Sequence, residues 1–174
     1  LERIKGSVDY IAESTKIKPV AGLVLGSGLG SVADEINIAD SLSFSYIPHF
    51  PVSGVAGHKG LLLFGTLKGV PIVAMQGRVH CYEGFHMDEV VYPVRVMGKL
   101  GIEILYLTNA AGGMNPAFSI GDMMVITDHI NMMPNPLIGK NFNELGPRFP
   151  DMSEAYDREL INRAEKMAEE AGIG

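Results

Sequence analysis

Five short, nearly unbroken apolar runs, each closed by glycine or a polar turn, constrain this chain most. They are "PVAGLVLG" (19–26), "GLLLFGTL" (60–67), "VPIVAMQG" (70–77), "IEILYLTNAAG" (102–112) and "DMMVITDHI" (122–130). Short runs rich in Val, Ile and Leu and bounded by turn formers predict strands. Their continuity, rather than alternation, predicts a sheet covered on both faces.

Helical periodicity fills three of the intervals. Residues 2–14 carry Ile4, Val8 and Ile11. Residues 87–100 carry Val90, Val91, Val94, Met97 and Leu100, with Pro93 unsettling the first turns. Residues 154–171 carry Leu160, Ile161, Ala164, Met167, Ala168 and Ala171, with Ser153 as the expected cap. Between the last run and the last helix, 131–153 is rich in Pro, Asn and Gly and lacks periodicity, as a functional or interface loop would. The pattern predicts an α/β fold in one domain over 1–174. Alternation ends on a helix and its Gly172 terminator, where another strand is due, so the domain is expected to be incomplete at its C-terminus.

Charge and composition exclude several classes. A net charge of −6 with no cluster of Lys and Arg argues against a nucleic-acid surface. No run approaches the roughly 18–20 apolar residues of a membrane helix. The single cysteine, Cys81, cannot form an intrachain disulfide and fits a reducing, cytoplasmic setting.

Polar chemistry gathers where the runs end. "VLGSGLGS" (24–31) brings glycines and Ser27 to the end of the first run, where backbone N–H groups and a hydroxyl can meet an anion. Its G-x-G-x-G spacing departs from the dinucleotide fingerprint G-x-G-x-x-G, and no acidic residue follows at about twenty positions as that fingerprint requires. "GVAGHKG" (54–60) sets His58 between glycines ahead of a run. "MQGRVHCYEGF" (75–85) places Arg78 and His80 one residue apart, on one face of extended chain. Arg offers a planar fork for phosphate or carboxylate, and Glu83 can orient His80 through a ring nitrogen. Tyr82 supplies a phenol for a sugar hydroxyl. A metal set of His80, Cys81, Glu83 and His86 competes, but its spacing matches no standard zinc pattern and Arg78 would repel a cation. "LTNAAGGMN" (107–115) ends a run in Thr108 and Asn109, then small residues that let a ligand lie against the backbone. Three of these stretches follow strand ends, where ligands of open α/β sheets collect, and together they predict an oxyanion site.

At these residues the chain resembles purine nucleoside phosphorylase, of the trimeric type acting on 6-oxopurine nucleosides. "LGSGLG", "GHKG", "QGRVHCYEG", "TNAAGGMNP", "GDMMVITDHIN" and "GPRFPDMSEAYD" occur in the family's order along nearly the whole chain. The resemblance implies a mixed central sheet flanked by helices, in a three-layer architecture. It implies reversible phosphorolysis of purine (deoxy)ribonucleosides to free base and (deoxy)ribose 1-phosphate, with inorganic phosphate as co-substrate and no metal or organic cofactor. Carried over by motif, Ser27, His58, Arg78, His80 and the Ala110 N–H would bind phosphate. Tyr82 and Asn109 would meet the nucleoside, Glu83 would support His80 in catalysis, and Phe149 would reach across a homotrimer interface to a neighbour's ribose pocket. The family's base-recognising Glu and Asn, with a further phosphate-binding Ser, have no counterpart within 1–174. The related methylthioadenosine phosphorylases differ in motif at "QGRVHCYEG", and a non-catalytic phosphate-binding module is the remaining alternative.

Overall fold

The computed structural model describes residues 1–26, 28–54 and 59–173, which fall into two compact units, Leu1–Ala110 and Ala111–Gly174. In the first, helix α1 (Glu2–Ser14) precedes strand β1 (Ala21–Leu25), a 3-10 segment Gly30–Glu35 and strands β2 (Asn37–Ser43), β3 (Leu61–Leu67) and β4 (Val70–Gln76). A 3-10 turn at Cys81–Glu83, helices α2 (Met87–Val90) and α3 (Tyr92–Lys99) and strand β5 (Ile104–Leu107) complete it.

The sheet order is β2-β3-β4-β1-β5. β1 runs parallel to both β4 and β5, whereas β3 is antiparallel to β2 and to β4. The sheet is therefore mixed, as the resemblance implies. Register decides what shares an edge: Leu25 pairs with Gln76, Val24 with Leu107, and Leu61 with Gln76. The carboxyl ends of β1, β4 and β5 and the amino end of β3 thus meet along one edge.

β1, β3 and β4 are covered on both faces, which accounts for their continuous apolar runs. Ala21, Leu25, Leu63, Ile72 and Ala74 pack with Ala33 and Ile36 from the 3-10 segment. Leu62, Phe64, Val73 and Met75 alternate with them and are equally buried. On that second face Gly22 lets α3 sit close, since a Cβ there would lie 2.6 Å from the Met97 side chain. Helix α1 packs on α3, tied by a buried polar knot. Ser7 Oγ lies 2.5 Å from the Pro48 carbonyl and 2.7 Å from the Tyr92 hydroxyl, which itself donates to the Arg3 carbonyl at 2.8 Å.

Four expectations are corrected. The helix expected over 87–100 is two helices broken at Val91, because Pro93 suits a first turn, whose N–H groups need no partner, but not an interior one. Strand β2 has no counterpart among the five apolar runs; it is an edge strand with mostly exposed side chains, so burial left no pattern to read.

The third correction lies in the second unit, where 122–130 forms no strand among the described residues. Met123, Met124, Val125 and Ile130 are exposed. Apolarity makes a strand only where another strand takes up the backbone groups. Within 111–157, turns form in which Asn or Asp accepts from a backbone two residues on: Asn115 from Ala117, Asn131 from Met133, Asn135 from Leu137 and Asp151 from Ser153. Helix α4 (Arg158–Glu170) follows, capped by Asp157, whose carboxylate accepts the Leu160 N–H at 2.9 Å, and not by Ser153. No helix among the described residues is long and apolar enough to cross a membrane.

Candidate functional site

The site is built on the shared edge of the sheet. β4 ends at Gln76 and the chain bends at Gly77, whose φ is 97°; beyond it Val79 is buried while Arg78 and His80 on either side are half-buried. Val79 thus joins the core, and its two polar neighbours stay partly open to solvent. His80 still has extended dihedrals, and the chain then turns through Cys81–Glu83 and closes at Gly84, whose φ of 95° is open to glycine at little cost.

That turn folds Glu83 back on His80. Glu83 Oε1 accepts the His80 backbone N–H at 2.9 Å and lies 3.0 Å from His80 Nδ1. Ser53 Oγ, from the segment ahead of β3, donates to Glu83 Oε2 at 2.5 Å. The Ser53 hydroxyl is the main cause holding the Glu83 carboxyl below the usual glutamate range; burial opposes it and His80 adds to it. An ionised Glu83 accepts from Nδ1–H, the tautomer that puts the ring's acceptor lone pair on Nε2. Tyr82 stacks on the His80 ring at 4.7 Å between centroids and is 75% exposed, leaving its phenol on the outer side.

Arg78 is directed to the neighbouring strand end. Its Nη1 donates to the Thr108 carbonyl at 3.1 Å. Thr108 Oγ1 accepts the Gly26 N–H and donates to the Val24 carbonyl, both at 2.9 Å. Gly26 permits this approach: a Cβ there would fall 2.4 Å from the Thr108 carbonyl oxygen and 2.8 Å from Asn109 Cα. Asn109 and Ala110, both exposed, follow directly, and the Asn109 amide donates to the Ala110 carbonyl at 3.3 Å.

Of the residues singled out from sequence, His80, Glu83 and Tyr82 are thus in mutual contact, and Arg78 is bonded to the strand end that carries Asn109 and Ala110. Ser27 and His58 lie outside the described residues. Phe149, in the second unit, is 86% exposed with the Arg148 guanidinium 5.9 Å over its ring. Sequence reasoning assigned no part to Ser53 or to the Thr108 side chain; the place of Thr108 at a strand end was a usable signal, whereas Ser53 offered none. Among the described residues no three His, Cys, Asp or Glu side chains converge as metal ligands. Chemically, the edge offers a guanidinium, a titratable imidazole backed by a carboxylate, and small residues with exposed backbone. Such a set can hold an oxyanion next to a polar, hydroxyl-bearing ligand.

Comparison with known proteins gives the family. Residues 20–173 match the phosphorylase superfamily. The chain is 54% identical over 173 residues to purine nucleoside phosphorylase 1 of Bacillus subtilis strain 168, covering 99% of this chain and 64% of that protein. It is 43% identical to the Bos taurus purine nucleoside phosphorylase, covering 98% and 61%. Among solved structures, isoform 2 of the Schistosoma mansoni enzyme in complex with cytosine and ribose-1-phosphate superposes with a TM-score of 0.92 at 44% identity, over 99% of this chain and 62% of that one. The chain therefore spans less than two thirds of the length of each of these relatives.

Proposed function

The chain belongs to the phosphorylase superfamily, and from that premise we propose that the protein carrying it catalyses the reversible phosphorolysis of purine nucleosides. The observation that carries the reading is the convergence of Arg78, the His80–Glu83 pair and the Thr108–Ala110 strand end on one sheet edge. Relatives at 43–54% identity with this named activity support it, as does the neighbouring structure that holds ribose-1-phosphate.

The residues fit the chemistry required. A phosphate oxygen forms a bond to the anomeric carbon as the bond to the purine nitrogen breaks. The electron pair leaves with the purine, and the proton that phosphate sheds ends on the base. Positive charge grows on the sugar and negative charge on the base. A phosphate dianion beneath the sugar is therefore both nucleophile and counter-charge. Arg78 supplies the fork for that anion. His80, held by Glu83, supplies an Nε2 that donates when protonated, and Ser27, His58 and the Ala110 N–H complete the proposed phosphate set. Tyr82 and Asn109 are proposed to meet the nucleoside. Phosphate, as co-substrate, provides the nucleophile, so the step calls on no organic cofactor or metal.

The oligomeric part of the proposal is a homotrimer in the cytoplasm, with Phe149 covering a neighbour's ribose pocket. It is supported by the exposure of Met132, Leu137, Ile138 and Phe149, which in isolation would be costly. Phe142 is half-buried and adds less.

Inosine cleavage by the full-length protein with and without phosphate is the test. Cleavage only with phosphate, yielding ribose 1-phosphate, is expected; phosphate-independent cleavage would make the protein a hydrolase. Sedimentation of a fully active monomer would remove the trimer and the role of Phe149 together.

A further inference from the structure

We propose that Ser53 is a positioning residue of this site: its hydroxyl fixes the Glu83 carboxylate, and through it the His80 imidazole that meets phosphate. The proposal rests on the phosphorolysis reading above.

The geometry is specific. Glu83 Oε1 is engaged twice by His80, at the backbone N–H and at Nδ1, both within one short turn. A carboxylate held through one oxygen can still rotate, because its terminal torsion is broad. Ser53 takes the second oxygen at 2.5 Å, from a segment thirty residues away in sequence. With both oxygens bonded the carboxylate plane is set, and with it the direction of the His80 ring. The Glu83 side chain is 7% exposed, so few waters can substitute for the serine.

The same bond joins two loops. Ser53 lies in "PVSG" (51–54), ahead of β3, and Glu83 lies after β4. Because β3 and β4 are antiparallel, Leu61 pairs with Gln76 and both loops leave the same sheet edge. One hydroxyl therefore couples the loop that leads to His58 in sequence with the turn that carries His80.

The experiment uses the full-length protein with Ser53→Val and Ser53→Thr, two side chains of nearly equal shape of which only the second keeps a hydroxyl. Phosphate KM and kcat are measured separately, and the Glu83 carboxyl is titrated by carbon NMR. Ser53→Val is expected to raise phosphate KM roughly 5–20-fold, less than the loss of a direct bond to a charged group because the hydroxyl acts on phosphate only through Glu83 and His80. It should change kcat less and move the Glu83 titration to higher pH. Ser53→Thr should recover most of both effects. A merely structural role would not move the Glu83 titration in step with the hydroxyl. If the unaltered protein depends on phosphate and the Val and Thr variants behave alike, this role is overturned alone. If the unaltered protein shows no phosphate dependence, the functional reading fails and takes this role with it.

Discussion

The Thr108 hydroxyl accepts the Gly26 amide at 2.9 Å, binding the end of β1 to the end of β5 at the point where the glycine-rich turn begins. The Thr108 carbonyl also accepts from Arg78, so the guanidinium following β4 is referenced to the same residue. Three strand ends are thereby fixed relative to one another before any ligand arrives. Preorganisation of this kind lowers the reorganisation that anion capture would otherwise require.

Arg78→Ala should raise the phosphate KM by roughly 10–100-fold, the scale of losing one or two bonds to a charged group. The fold should survive, because the guanidinium is half-buried and not in the core. Arg78→Lys should recover only part, since an ammonium lacks the planar fork. Steady-state phosphate titrations decide it, and an unchanged phosphate KM takes Arg78 out of the site.

Gly26→Ala should destabilise the protein by about 1–3 kcal/mol, as overpacking does where the obstructing atoms are backbone. The atoms in the way are the Thr108 carbonyl oxygen and Asn109 Cα. Urea unfolding would measure the cost. Stability equal to the unaltered protein would mean that the β1 and β5 ends part easily.

Glu83 links stability to pH. Its carboxyl is held below the ordinary glutamate range in the folded protein, chiefly by Ser53. On acidification the unfolded chain takes up the proton first, so stability falls with pH. The contribution is complete above the ordinary glutamate range and is lost as pH drops through the lowered folded value. The stability difference between the unaltered protein and Glu83→Gln should therefore be flat from neutral to mildly acidic pH and shrink below it. A difference that grows with acidification would contradict this.

Tyr92→Phe and Ser7→Ala each break the knot joining α1, α3 and the Pro48 segment. Each should cost roughly 1–3 kcal/mol, because a buried partner is left unsatisfied. The double variant should cost less than the sum, as expected of groups in one network. Thermal or denaturant unfolding of the four proteins gives the coupling, and strict additivity would dissolve the knot.

Asp157→Ala should weaken α4 by about 1 kcal/mol through loss of its cap, with faster amide exchange at Leu160, the N–H it accepts. Ser153→Ala should leave that amide alone.

Much of this was legible along the chain. β1, β3, β4 and β5 lie within four of the five apolar runs; for β1, β3 and β4 the reason is cover on both faces, which asks for an apolar residue at nearly every position, whereas β5 is apolar yet half-exposed. His80 and Glu83 were legible as a pair because they share one turn, where spacing dictates proximity, whereas the Arg78 partner on the β5 end was not. The edge strand β2 escaped notice for the opposite reason: solvent on its side chains imposes no pattern. The apolar run at 122–130 read as a strand because hydrophobicity records a need for cover and does not supply the partner that provides it.

Sequence by itself determined which residue types stand at the strand ends and that they suit an oxyanion. Only the tertiary structure decided which of them touch. Ser53 meets Glu83 across thirty residues, and Thr108 meets Gly26 across eighty-two. Both contacts depend on strand order and register, which set the β1–β5 and β3–β4 pairings that bring the loops to one edge. Local pattern reports burial and backbone preference residue by residue. Pairing is a property of two distant segments, settled by the burial and backbone hydrogen bonding of the whole sheet at once.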